Sequence, residues 1–330
     1  MNLHHRFLAI AVLGVLTACG SSTTTTTTTG SSGPSKVPSI ASEVPSDMAA
    51  LAPFQIATDA TYAPNEFVDP TTGAITGWDV DLGQAICKVM GVACTFNNVT
   101  FDDIIAQLKA STPSEVAGGD KPRYEFSLSS WSPTQKREDS GIDFITYYKA
   151  GEAWLVRPGG PTINSAADMC GHSVAVESGT TEESDAYGFM GKNPDGSAIK
   201  GDTDNCKSAG KDDIKVMSFS TQTDANSALL SGRADFGWLD QPVADYQVKQ
   251  LGGKVKIGGQ PCSVAPYGIA IVKGSTLEKP ITDALKYLMD NNNYYKNILA
   301  QWNVTDGAIT SSDVSLNNNN SIGPTCVPSY

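Results

Sequence analysis

A two-lobed α/β fold is the class this sequence predicts, on three observations. Short strand-like runs alternate with helical ones through most of the chain, the rhythm of βα units and a mostly parallel sheet. Around "TYYKAGEAWLVRPGG", Thr146 to Gly160, the chain changes partners, and "SVAVESG" begins a second set of such units. The 330 residues, less a leader and a linker, suffice for two lobes of ordinary size.

The leader comes first. "MNLHHRFLAIAVLGVLTAC" has a cationic start at Arg6 and an apolar run from Phe7 to Leu16. The run is too short to span a bilayer and reads as a secretory signal over 1–18. "LTAC" is similar to a bacterial lipobox, which makes Cys19 the acyl attachment site; the alternative is an ordinary cut after Ala18 with Cys19 incidental. "GSSTTTTTTTGSSGPSK" follows, and its Gly, Ser and Thr cannot bury a core. We expect a flexible, lipid-anchored tether over 19–50.

The folded part starts at "FQIATDA", a strand. "DVDLGQAICKVMG" places Leu82, Ile86, Val89 and Met90 on one helical face, and Gly91 can stop it. "CTFNNV" is a strand, "FDDIIAQLKA" a helix and "YEFSLSS" a strand again, with a surface loop "TPSEVAGGDKPR" before it. In the second set, "DANSALLSG" is a helix closed by Gly232, and "RADFGWLD" and "YGIAIVKG" are strands. "KPITDALKYLMDNNNYYKNILAQW" makes two helices, with Pro280 suited to a first turn. The Asn- and Ser-rich tail from Asn303 reads as irregular.

Charge and cysteine content exclude some functions. The formal net charge of -12 argues against a nucleic-acid partner. Of seven Cys, six remain beyond Cys19, an even number in an exported chain. That allows three disulfides in any of about 15 connectivities; sequence proximity suggests Cys87–Cys94, Cys170–Cys206 and Cys262–Cys326. There is no CxxC pair, and beyond the leader the sole His is His172, so no metal site and no cofactor are expected.

The motifs "ATDATYAPNEF", "ITGWDVDLGQAI", "TFDDIIAQL", "SSWSPTQKRED", "IDFITYYKAG", "VESGTTEE", "SGRADFGWLD", "PYGIAIVKG" and "YYKNILAQW" stand in one order from Phe54 to Trp302. In them the chain resembles the polar amino-acid-binding proteins of bacterial ABC importers, the family 3 extracellular solute-binding proteins. The resemblance implies a type II periplasmic-binding-protein fold: two α/β lobes, a two-crossing hinge and a ligand cleft between them. Lobe 1 would comprise 51–147 and 266–305, lobe 2 148–265, and the tail 306–330. Cys87 and Cys94 also match a helix-to-strand disulfide of some basic-amino-acid receptors. The sequence departs from the family in an extra loop near Ala117–Lys121, in Asn65 where "YAPF" is frequent, and in its Asn-rich tail.

An amino acid carries a carboxylate and an ammonium on one carbon, and burying either unpaired costs several kcal/mol. Arg137 can take the carboxylate with two parallel hydrogen bonds, and the resemblance adds the Ser132 hydroxyl and Thr181. Thr134 to Asp139 starts a helix whose free N–H groups favour an anion. Ser130 offers a carbonyl to the ammonium, and Asp240, at a strand end in lobe 2, matches the family's ammonium-binding Asp. Tyr62 and Phe101 match its stacking pair, with Trp131 as a further wall. Asp59 and Glu182 would select the side chain, favouring a basic or neutral polar ligand. Asn65 could tune the pocket, whereas Glu66 reads as a surface or lobe-packing residue. Each position has a plainer alternative: an Arg137 salt bridge with Glu138 or Asp139, turn chemistry for Ser130 and Ser132, an exposed loop acid at Asp240, an N-cap at Thr181, core packing for the aromatics.

The function implied is that of a receptor that closes on an amino acid and delivers it to a membrane permease and its ATPase. The expected protein is a monomer, held to the membrane by its N-terminal lipid, outside the cytoplasm. A sensor domain acting in trans and a dehydratase-like enzyme on the same fold are the alternatives. The chain has no nucleophile-elbow Ser, and only His172 as an imidazole base.

Overall fold

The computed structural model of the protein describes residues 33–110, 123–322 and 324–327. The leader, Cys19, the Thr-rich run and the loop near Ala117–Lys121 lie outside the described residues.

The chain opens with two single-turn helices, α1 (Pro38–Ala41) and α2 (Ser46–Ala49). Strand β1 (Phe54–Thr58) leads to a small sheet of β2 (Thr61–Tyr62), β3 (Glu66–Val68) and β4 (Ile75–Thr76). Helix α3 (Trp78–Met90) follows, with Asp79 and Asp81 in its first turn and Gly91 closing it at φ +74°, the left-handed conformation that suits glycine. Its expected face, Leu82, Ile86, Val89 and Met90, is buried. Then come β5 (Cys94–Asn98), α4 (Phe101–Leu108), β6 (Phe126–Trp131) and the short α5 (Gln135–Asp139).

The stretch where a change of partners is expected is one 15-residue strand, β7 (Ile142–Val156). The second half contains β8 (Ser173–Glu177), α6 (Thr181–Gly188), α7 (Asn205–Ser208), β9 (Lys215–Phe219), α8 (Gln222–Ser231), β10 (Phe236–Asp240), α9 (Gln241–Leu251) and β11 (Lys256–Ile257). Strand β12 (Cys262–Val272) returns to the first half, which α10 (Glu278–Asp290) and α11 (Tyr294–Trp302) complete.

One nine-stranded sheet runs through both halves in the order β5-β1-β6-β12-β7-β10-β8-β9, with β11 beside β7. Its flanks are parallel, β1 with β5 and β6, and β8 with β9 and β10. The centre departs from the expected parallel pattern. There β7 and β12 run antiparallel, from Ile142↔Val272 to Glu152↔Cys262. These two strands are the crossings. Ile145, Tyr147 and Tyr148 of β7 and Ile269 of β12 lie in one hydrophobic core with α3, α10 and α11. Trp154, Val156 and Cys262 lie in another, with β8, α6 and β10. Packing on each side is therefore local, and only a few strands join the halves.

The tether expected to run to residue 50 ends sooner. Val37 N–H donates to Val89 O at 3.0 Å, and Ile40, Val44 and Met48 are buried in the first core. Ile40 and Met48 come from the two single turns and Val44 from the bend between them, a pattern the surrounding Pro and Ser obscure in the sequence. The three disulfides join Cys87 to Cys94, Cys170 to Cys206 and Cys262 to Cys326. No helix among the described residues is long and apolar enough to cross a membrane.

Candidate functional site

The ends of β1, β6, β8 and β10 point at one cleft between the halves, where the chain turns into helices or loops. A narrow cavity of about 20 Å³ lies there. Arg137, Ser132 and Ser130 line it from the first half, as do Tyr62, Phe101 and Asp59. Thr181, Glu182 and Asp240 line it from the second.

Arg137 sits in the first turn after the N-cap Thr134, whose hydroxyl accepts from Arg137 N–H at 3.2 Å. Its guanidinium lies 4.9 Å from the centre of the Trp131 ring and 5.5 Å from that of Phe101. Arg137 Nη1 donates to Ser132 O at 2.6 Å, and Nη2 crosses the cleft to Gly179 O at 2.8 Å. No ion pair with Glu138 or Asp139 forms among the described residues. Burial lowers the Arg137 pKa to about 10, so it stays charged at neutral pH.

Tyr62 also crosses the cleft. Its hydroxyl donates to Asp240 Oδ2 at 3.0 Å and accepts from Asp240 N–H at 3.1 Å, and its ring packs among Leu239, Val243 and other apolar residues of the second half. Asp240 stands at the strand-to-helix turn from β10 into α9, its side chain not capping the helix, and is buried rather than an exposed loop acid. Burial pushes its carboxyl up to about 6.

Thr180, not Thr181, is the side-chain cap of α6, accepting from Glu183 N–H at 3.2 Å. Thr181 therefore faces the cavity, with its hydroxyl donating to Glu182 Oε2 at 3.2 Å. Glu182 is buried, and its Oε1 has no hydrogen-bond partner within the protein. Burial, then the nearby Asp240, raises its carboxyl to about 8.

Asp59 is held at the other end. Thr61 Oγ1 donates to its Oδ1 at 2.6 Å, and Phe101 N–H, free at the start of α4, donates to Oδ2 at 2.8 Å. Burial raises its pKa, partly offset by the Thr61 hydrogen bond. Trp131 does not line the cavity. It stacks behind Phe101, ring centres 4.1 Å apart, and donates through Nε1 to Ser127 Oγ at 3.0 Å. Asn65 likewise stands one layer back, donating to Ser130 Oγ at 2.8 Å and accepting from Trp78 Nε1 at 2.7 Å.

Two cavity acids are absent from the expected set. Glu66, expected as a surface or lobe-packing residue, is buried and lines the cavity. Ser129 Oγ donates to it at 3.0 Å, and burial, then the adjoining Asp79, raises its carboxyl well above the usual range. The neighbouring Ser130 has φ +52°, a conformation uncommon outside glycine, and its N–H is fixed by Asp79 Oδ2 at 3.1 Å. Glu177, at the end of β8, accepts from Gln222 N–H at 3.1 Å and faces Asp59 across the cleft. Burial, then Asp59, raises its carboxyl well above the usual range. The strand-end rule that selects Asp240 selects Glu177 equally.

The cavity thus sets one guanidinium against five carboxyl groups, those of Asp59, Glu66, Glu177, Glu182 and Asp240. Acids so close in a space that excludes water repel one another and favour a cation among them.

Comparison with known proteins agrees with this geometry. The bacterial extracellular solute-binding proteins, family 3, match residues 54–305. The arginine-binding protein ArgT of Corynebacterium glutamicum is 27% identical over 276 residues, covering 84% of this chain and 82% of that protein. Among solved structures, an ancestral arginine-binding protein bound to arginine superposes with a TM-score of 0.62 at 31% identity, covering 76% of this chain and 97% of that one. An ancestral amino acid-binding protein, a precursor of cyclohexadienyl dehydratase, does so at 0.60 with 29% identity, covering 76% and 94%.

Proposed function

Because this chain belongs to the bacterial extracellular solute-binding proteins, family 3, we propose that it is the receptor of an amino-acid ABC importer and takes a basic amino acid, arginine before others. The acid surplus of the interlobe cavity carries this reading. A neutral amino acid satisfies one carboxylate and one guanidinium. A second cation at the far end of the ligand satisfies the remaining acids. The relatives named as arginine-binding support the same choice.

In this reading Arg137, Ser132 and Thr181 receive the ligand carboxylate, and Arg137 exchanges its backbone carbonyl on Gly179 for that group. Asp240 and the Ser130 carbonyl receive the ammonium, with the unpartnered Glu182 Oε1 close by. Tyr62 and Phe101 enclose the carbon chain, and Trp131 holds Phe101 and Arg137 in place from behind. Asp59, Glu66 and Glu177 face the side-chain cation. Closure is favoured because the full set of opposite charges meets only when the halves are together.

The family works outside the cytoplasm and hands its ligand to a membrane permease. We add that the chain acts as a monomer, anchored by lipid at Cys19, and binds without turnover. The relatives it resembles are binders, and the cavity is lined by hydrogen-bonding and charged groups rather than by an imidazole or thiol. A thermal-shift screen over the twenty amino acids tests the ligand class, since a binder stabilises the folded state by mass action. Arginine and lysine should give the largest shifts. A larger shift with glutamate or aspartate would refute the assignment.

A further inference from the structure

The Asn-rich tail belongs to neither lobe alone. After α11 it enters the first core with Val304, Ile309 and Val314. It lies against the hinge strand so closely that a Cβ on Gly307 would stand 2.1 Å from Lys149 O. Tyr148 Oη donates to Val304 O at 2.7 Å. The tail then pairs with the first-half end of β7: Thr146 N–H donates to Ser315 O at 2.9 Å, and Asn317 N–H to Phe144 O at 2.8 Å. Asn317 Nδ2 also reaches Asp143 Oδ1 at 2.8 Å.

Five residues later the tail is held by the other end of the hinge. Ile322 N–H donates to Val264 O at 2.6 Å, Ser263 N–H donates to Pro324 O at 2.8 Å, and Cys326 N–H donates to Ser263 Oγ at 2.9 Å. Cys326 is bonded to Cys262, and with Val327 it lies in the second core. Between the anchors, β12 slips register twice, between Cys262 and Ala265 and between Tyr267 and Gly268, where a hinge strand can bend.

We propose that 303–322, anchored covalently through Cys326, is a third crossing of the hinge that limits how far the two lobes separate. The limit follows from chain length. Leu316 stands opposite Ile145, itself paired with Ile269, and Ile322 stands opposite Val264. Six tail steps therefore cover five steps of β12, and six residues reach at most about 20 Å. Little slack remains, so wide opening must stretch the segment or detach an anchor. On the amino-acid reading above, a narrowed range of open states keeps more of the protein competent to bind and slows ligand escape.

Two variants test this. C262S/C326S removes the covalent anchor, and inserting a flexible Gly/Ser segment between Asn319 and Asn320 keeps the disulfide but adds slack. Small-angle scattering of the ligand-free protein should show a larger radius of gyration for both than for the wild type. Arginine release by stopped flow should be several-fold faster in both. Unchanged scattering in the lengthened variant overturns the proposal, whatever C262S/C326S does, because that variant alone could disturb the second lobe. If no variant binds arginine, the ligand assignment fails while scattering still decides the hinge.

Discussion

At the residue scale the cavity is a set of charges whose balance is fixed by a few positions. Arg137 is its sole cation among the lining residues. Removing one partner of a buried charge pair costs about 2–5 kcal/mol, so Arg137→Ala should lose that much arginine affinity in calorimetry. Near-normal binding by this variant would reject the carboxylate role. Titration of the acids gives a second expectation. Asp240 and Glu182 are raised to about 6 and about 8 in the ligand-free protein, chiefly by burial. A cationic ligand needs them ionised, so arginine affinity should fall as pH drops from about 8 to about 6. Calorimetry in buffers of different ionisation enthalpy should show proton release on binding, and a pH-independent Kd across that window would contradict it. The same shifts act on stability. A carboxyl whose folded pKa is raised stabilises the fold below its unfolded value, near 4, and that contribution is lost as pH rises through the folded pKa. The ligand-free protein should therefore lose thermal stability between about pH 4 and pH 8.

Elements decide where those residues stand. Strand ends supply Asp59, Ser130, Glu177 and Asp240, so the sheet sets the spacing of the charges before any loop does. Phe101 N–H and Gln222 N–H, each at a helix start, fix Asp59 and Glu177. The N-terminal segment is an element in its own right. Ile40 and Met48 are 7% and 8% exposed, packed with α3 and α10. Truncating such side chains costs about 2 kcal/mol or more, so Ile40→Ala and Met48→Ala should each lower stability by that order in urea titration. A free tether would show no change.

For the whole molecule, the hydrogen bonds that cross the cleft include Arg137 to Gly179, Tyr62 to Asp240, Ser178 Oγ to Asp102 at 3.0 Å, and Gln222 N–H to Thr61 Oγ1 at 3.2 Å, and apolar contacts across it include Tyr62 against Leu239 and Val243 and the Phe67 and Tyr246 rings, 6.4 Å apart. None is a large apolar interface, so the halves can part without unfolding either core. Saturating arginine should reduce the radius of gyration measured by scattering, whereas aspartate should leave it unchanged. Equal values with and without arginine would remove the closure mechanism.

The alternation of elements is legible in the sequence, and sequence proximity suggests the three disulfide pairs; Arg137 is picked out by its chemistry, and Tyr62, Phe101 and Asp240 by the resemblance to the family. The first two follow from local period and from short separation along the chain, the last from motifs that match the family's in kind and order. Tertiary structure alone decided the rest. Glu66 is a short-strand acid whose environment is set by Ser129, 63 residues further on, and by Asp79 of the following helix. The resemblance puts Trp131 at the cavity wall, whereas in the fold it stacks behind Phe101. The tail's path over the hinge depends on contacts with β7 and β12, more than a hundred residues and about sixty residues upstream. Local pattern says which face a side chain takes on its own element; only the packing of elements says what meets that face.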